Sequence, residues 1–151
     1  MSRALGILGL ARKAGALEIG EESAGIAARS GKARALLTAN NASENTLRRV
    51  YNFAAKYGLP HLALPFTKDE LGKAVGVSSC AALAFMSAGL AASFAEKLEE
   101  EFPGRFTQPL ELLRLKADRI EQRKKEARAH ERNVRTGKRA SSKRKGRKMN
   151  G

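Results

Sequence analysis

Apolar positions between Leu5 and Phe94 switch between two spacings, a helical one and short unbroken runs of strand length, and glycines stand at many of the changes. Leu5, Ile7, Leu8, Leu10, Ala11 and Ala14 give a helix apolar over a broad face, with Gly15 placed to close it. Leu17 to Ile19 makes a short strand. Gly20 then turns the chain into a second helix, whose first turn holds Glu21 and Glu22 and which Gly31 ends; the positive pole of the helix dipole favours carboxylates there. Ala35 to Thr38 is an apolar run of buried-strand length. A third helix starts near Ser43, repeats Leu47, Val50, Ala54 and Tyr57 at helical spacing as its buried face, and stops at Gly58 before Pro60. His61 to Leu64 is a third strand. Thr67-Lys68-Asp69-Glu70 has the form of a capping box, in which the Thr67 hydroxyl and the Glu70 carboxylate each take an otherwise unpaired backbone N–H. The helix it opens closes at Gly76. Ala81 to Met86 supplies a fourth strand, and Ala88 to about Glu101 a fifth helix.

A strand that is apolar on both sides must be covered on both sides. Five helices alternating with four such strands therefore predict an α/β fold, a three-layer α/β/α sandwich around a four-stranded mixed sheet. Phe102-Pro103-Gly104 breaks the chain, which bounds this domain at residues 1–102. Over 103–133 a linker leads into a charged amphipathic helix, expected to be mostly exposed. Pro109 suits its first position, and Leu110, Leu113, Ala117 and Ile120 share one stripe. Glu121 with Lys125, and Glu131 with Arg135, stand at the favourable four-residue spacing. From 134 to 151 the Lys, Arg, Ser and Gly content leaves nothing to bury, and a disordered basic tail is expected.

Charge turns this outline toward a polyanionic partner. The chain carries 29 Lys and Arg against 15 Asp and Glu, a net charge of +14. Residues 1–98 hold 12 basic and 7 acidic side chains and residues 99–151 hold 17 and 8, so most of the excess lies where least is buried. Such charge does little for a fold and much for attraction to nucleic acid. No apolar run approaches the roughly 20 residues of a membrane span. Met1 to Arg3 lack the charged-then-apolar layout of a secretory signal, and a cytoplasmic location without a membrane partner is expected. Cys80 is the one cysteine, which excludes an intramolecular disulfide and a cysteine zinc site. It reads as a small buried residue at a strand entrance rather than a nucleophile. His61 and His130 form no metal pair or triad with it, so no catalytic residue, metal or cofactor is expected. Tyr51, Phe53 and Tyr57 read as core packing on the third helix rather than as base-stacking platforms.

Gly20-Glu21-Glu22, Arg29-Ser30-Gly31-Lys32-Ala33, Leu71-Gly72-Lys73-Ala74-Val75-Gly76-Val77 and the following Ser78-Ser79-Cys80-Ala81 resemble segments of the kink-turn RNA-binding ribosomal protein family. This is the L-seven-Ae and L-thirty-e superfamily, and the resemblance is to its small bacterial YlxQ-type branch, over roughly residues 3–98. It implies a non-catalytic α/β/α sandwich that grips a sharply bent or internal-loop RNA, with ribosomal or other ribonucleoprotein association. By position, the loop before the second helix would supply Gly20, Glu21, Glu22 and Ser23, and the loop before the last strand Gly76, Val77, Ser78 and Ser79. Archaeal members typically carry Asn-Glu at Glu22-Ser23 and Lys at Ile26. Glu22 accepts hydrogen bonds from base amino groups but cannot donate as Asn does, and Ile26 cannot contact phosphate.

Each candidate also has a plain structural role. Glu21 and Glu22 either read base edges or only stabilise a helix start. Val77 covers an extruded base while Ser78 and Ser79 donate to RNA, or the segment is a simple turn. Lys32, with Arg34, Arg12 and Lys13, would rim a phosphate-binding face if the fold gathers them. Lys73 lacks the Gly-rich run and following Ser/Thr of a phosphate loop, and is expected to touch RNA backbone instead. In the tail, Lys138, Arg139, Lys143, Arg144, Lys145, Arg147 and Lys148 would displace counterions from any nucleic acid, giving salt-sensitive affinity without discrimination. Two other readings stay open: a recognition module for an RNA-modifying enzyme, and a protein-binding adaptor docking through the Leu110 to Ile120 stripe.

Overall fold

The computed structural model describes residues 2–134 in full and the course of the last helix to Lys148. The elements run α1 (Arg3–Lys13), β1 (Leu17–Ile19), α2 (Glu21–Arg29), β2 (Ala35–Thr38), α3 (Glu44–Tyr57), β3 (His61–Ala63), α4 (Lys68–Val75), β4 (Ala82–Phe85), α5 (Ala88–Glu101) and α6 (Thr107–Lys148). The sheet order is β1-β4-β2-β3. β4 is antiparallel to β1 and β2, while β2 and β3 are parallel, so the sheet is mixed.

Alternation along the central strands sends side chains to opposite faces. Leu37, Leu83 and Phe85 join Leu8 of α1, Leu71 of α4 and Phe94 of α5 in the larger core. Leu36, Ala82 and Ala84 face Ala24 and Ala28 of α2 and Val50 and Ala54 of α3. The expected three-layer sandwich is what the chain forms. The second face is thin because its contacts are mostly alanine. There Gly25 lets α2 close onto α3: a Cβ at Gly25 would lie 2.8 Å from the Phe53 ring. The capping box at α4 is complete, Thr67 N donating to Glu70 Oε1 at 3.0 Å and Glu70 N to Thr67 Oγ1 at 3.1 Å.

The first turns of α6 depart from the expected exposed helix. Phe106, Leu110 and Leu113 are buried in the larger core, and residues 1–117 form one compact unit. Glu99 on α5 accounts for this start, because its carboxylate accepts from Thr107 Oγ1 at 2.6 Å, Phe106 N at 2.9 Å and Gly104 N at 3.0 Å. Those bonds, the Thr107 hydroxyl first, hold the Glu99 carboxyl below its usual range. Two residues on, Glu101 accepts from Ser2 Oγ at 2.7 Å and Ala4 N at 3.2 Å. The end of α5 thus caps two other helices. Pro109 becomes the third residue of α6 rather than the first, which costs nothing because first-turn N–H groups have no intrahelical acceptor. Residues 118 onward form a second unit. Within it Glu121 pairs with Arg128 at 3.5 Å instead of the expected Lys125, and Gln122 Nε2 donates to Glu126 Oε1 at 3.1 Å. α6 continues as helix to Lys148, where a disordered tail was expected from 134; the Arg135 partner of Glu131 and the seven tail cations lie outside the fully described residues.

One partly buried pair gives the fold a pH signature. Thr38 Oγ1 and His61 Nε2 are 2.8 Å apart between β2 and β3, and burial lowers the His61 pKa below its ordinary 6.5. The unfolded chain takes up a proton near 6.5 while the folded one resists it. Stability from this group is therefore full above that pH and is lost as pH falls toward the folded-state value. Urea unfolding of the wild type and of His61→Asn at a series of pH values between 7.5 and 5 should show a steeper acid loss in the wild type; superimposable profiles would remove His61 from the account.

Candidate nucleic-acid interface

β1, β2 and β3 all end, and β4 begins, at one end of the sheet. α2, α3 and α4 consequently start there, and the loops between are drawn into one row by backbone hydrogen bonds. Gly20 N donates to Ala82 O at 2.8 Å, Ala39 N to Ala81 O at 2.9 Å, and Asn40 N to Phe66 O at 2.8 Å. The Cys80 thiol donates to the same Ala82 O at 3.3 Å. The two candidate loops, far apart in sequence, are therefore held side by side.

Each loop has its own geometric requirement. Gly20 sits at φ 102° and ψ 155° as the cap of α2, a conformation that disfavours any side chain. Gly72, inside α4, is needed for a different reason: a Cβ there would be 2.8 Å from Ser79 Cα, Ser79 N and Val77 O. The 77–79 segment folds back against the helix that precedes it, and Val77 N donates to Gly72 O at 2.8 Å. Cys80 N in turn donates to Lys68 O at 3.0 Å. Val77 is half-buried against the larger core, while Ser78 and Ser79 are exposed. Cys80 is buried, and burial pushes its thiol pKa up, with the Gly20 and Ala82 backbone bonds opposing this. That environment suits packing and not nucleophilic chemistry.

The acidic pair divides. Glu21 Oε2 accepts from Arg49 Nη1 of α3 at 2.9 Å, which ties it to the scaffold. Glu22 is exposed and makes no ion pair among the described residues. Ser23 is half-buried behind it. Arg12, at the end of α1, donates from Nη1 to Val75 O at 3.2 Å, at the C-terminal end of α4. Lys73 instead lines a groove between α1 and α4, with Gly6, Gly9 and Phe66. Lys32 is not gathered here. It follows the far end of α2, next to Arg34, whose N–H donates to Phe85 O at the opposite end of the sheet.

One feature has no mark in the sequence, and a second residue lies elsewhere than its spacing predicts. Asn40, Asn41 and Asn45 are exposed at the same end, and Asn41 Oδ1 accepts from Lys68 N at 2.8 Å at the start of α4. Asparagines between a strand and a helix are ordinary turn residues, so nothing in the sequence marked them. Tyr51 is the second. It was expected in the core with Phe53 and Tyr57, yet it is 64% exposed. Phe53 and Tyr57 are half-buried against the α2 and α3 core, and Leu47 on the same helix is half-buried. No group of three or more His, Cys, Asp or Glu that would hold a metal occurs among the described residues. No helix among them is long and apolar enough to cross a membrane.

A sandwich with paired loops at the start of its second helix and of its last strand defines the class, and the fold recurs in solved structures. A protein of unknown function from Bacillus halodurans superposes with TM-score 0.62 at 23% identity, covering 66% of this chain and 99% of that one. A 15.5 kDa RNA-binding protein of Giardia lamblia does so with TM-score 0.52 at 19% identity, covering 64% and 82%. No protein-family model matches. A curated relative, the RNA-binding protein YlxQ of Enterococcus faecium, is 36% identical over 74 residues, which is 49% of this chain and 71% of that protein. The chain belongs to the YlxQ family.

Proposed function

We propose that this protein is a non-catalytic RNA-binding protein that recognises a bent or internal-loop RNA of kink-turn type, within the ribosome or another cytoplasmic ribonucleoprotein. The observation that carries the reading is the junction of the Gly20 and Val77–Ser79 loops. It presents an unpaired acceptor, Glu22, beside two exposed hydroxyls, Ser78 and Ser79, on a backbone fixed by Gly72. Rigid donors and acceptors at one edge suit bases splayed out of a duplex, whereas a regular A-form helix offers few base edges to them. The name of the Enterococcus relative supports RNA as the ligand. Ionic grip without sequence preference is assigned to Lys138, Arg139, Lys143, Arg144, Lys145, Arg147 and Lys148.

The test is binding of the full chain to a kink-turn RNA and to a length-matched duplex at two salt concentrations. Preference for the kink-turn is expected at both. Glu22→Ala combined with Ser79→Ala should weaken the kink-turn complex by about 1–3 kcal/mol and leave duplex binding almost unchanged. Equal affinity of the wild type for the two RNAs, or equal losses on both in the double variant, would remove the loops from recognition.

A further inference from the structure

α3 begins beside the candidate loops and runs away from them along the outer layer. Its 14 residues cover about 21 Å at the helical rise of 1.5 Å per residue. Val50 and Ala54 are buried on its inner side. On the outer side Asn45, Arg48, Arg49, Tyr51, Asn52 and Lys56 are all exposed. This face carries three cations and one aromatic ring, against a single carboxylate, Glu44, in the first turn. The Glu21 bridge occupies Arg49. Arg48 has no ion-pair partner among the described residues, and the Lys56 ammonium lies 5.5 Å from the Tyr57 ring centre.

Tyr51 is the unexplained member. At 64% exposure its ring adds little to the core, and no other large apolar or aromatic residue among those described is more exposed. Residues three and four apart are neighbours on a helix surface. Arg48 precedes Tyr51 by three and the small, exposed Ala55 follows it by four, so a cation stands on one side of the ring and open space on the other. A tyrosine with an unpaired cation beside it, further cations on the same face and exposed amides is the combination that binds unpaired nucleotides, through base stacking on the ring and phosphate contacts around it. Its position two turns beyond the loop row makes it continuous with the site already described.

We infer that the outer face of α3 is a second RNA-contact surface, on which Tyr51 stacks an unpaired base while Arg48 and Lys56 hold the adjoining phosphates of a strand continuing from the loop site. This rests on the RNA reading of the loops and adds that the ligand carries single-stranded nucleotides beyond its bend. The Tyr and Arg content would also suit a protein partner; the cationic balance and the continuity with the loops favour RNA.

The experiment measures binding of the full-length protein to a kink-turn RNA with blunt ends and to the same RNA with single-stranded extensions at both ends. Tyr51→Ala should bind the extended RNA about 5- to 150-fold more weakly than wild type, the size of one base–aromatic stack, and the blunt RNA equally well. Tyr51→Phe should retain binding to both. Arg48→Gln should lower the slope of log affinity against log salt by about one on the extended RNA. Ser78→Ala with Ser79→Ala should weaken both RNAs and serves as the control on the loops. Tyr51→Ala binding the extended RNA like wild type, while the loop variant is weakened, would overturn the α3 surface and leave the loop reading standing. Equal losses on the blunt and extended RNAs in Tyr51→Ala would overturn it too. A wild type without preference for the kink-turn over duplex overturns the loop reading, and the α3 surface as a continuation of it.

Discussion

Gly72→Ala is expected to destabilise the protein by about 1–3 kcal/mol and to lower affinity for a kink-turn RNA at least tenfold, although alanine is the better helix former. Gly72 lies within α4, so the new Cβ meets no unfavourable dihedral. What it meets is backbone: Ser79 N and Cα and Val77 O, each at 2.8 Å. A flexible side chain tip would swing aside, but this segment is held by the Val77 N to Gly72 O bond and by Cys80 N to Lys68 O. Relief requires moving the whole 77–79 loop, and with it Ser78 and Ser79. Gly6→Ala is the matched control, since a Cβ there has nothing within 4 Å. It should stabilise by about 0.5–1 kcal/mol through helix propensity and leave RNA binding unchanged. Urea denaturation alongside RNA titration separates the two effects. If Gly72→Ala behaves like Gly6→Ala, the close approach does not fix the loop.

The second large effect is expected at Leu113. Its side chain is 0% exposed and belongs to the larger core, so Leu113→Ala should cost about 2–5 kcal/mol. Its neighbour Leu112 is 42% exposed, and Leu112→Ala should change stability by no more than about 0.5 kcal/mol. Equilibrium unfolding of the two variants gives the comparison directly; similar small changes in both would mean that α6 does not belong to the folded unit. The same packing predicts that a fragment ending at Phe102 exposes the core surface covered by Phe106, Leu110 and Leu113. Binding studies therefore need the chain to at least Ala117.

Much of the architecture was legible because local chemistry and burial agree along the chain. The central strands β2 and β4 are short, fully buried and almost wholly apolar runs, the edge strands β1 and β3 are only partly buried, and each of the four lies where expected, within a residue at either end. The capping box at Thr67 and the glycines that close the helices are decided within a few residues, which is why they could be read without tertiary information. In β2 and β4 the strand signal was a continuous buried run rather than an alternation: Leu36 and Leu37 are both apolar because each faces a helical layer. The candidate loops were reached through resemblance, and their pairing was not visible in the residues themselves. Lys32 shows the converse. Near Gly20 in sequence, it is carried to the other end of the sheet by the length of α2.

Tyr51 and Leu113 departed from expectation for a common reason. Both stand in helices whose apolar residues outnumber the positions the core accepts, and spacing alone does not say which side a neighbour will cover. At α3 the inner side is set by β2, β3 and α2, which leaves Tyr51 in water. At α6 the decision is made by Glu99, whose bonds to Gly104, Phe106 and Thr107 turn the chain back onto the core after the Pro103-Gly104 break. By itself, the sequence determined the order and type of the elements, the sandwich class and the cationic excess, since these follow from local spacing and composition. Only the tertiary structure decided which side chains share the loop row, that Glu21 is tied to Arg49 while Glu22 stays exposed and unpaired among the described residues, and which apolar residues remain outside, because each depends on contacts between segments distant in the chain.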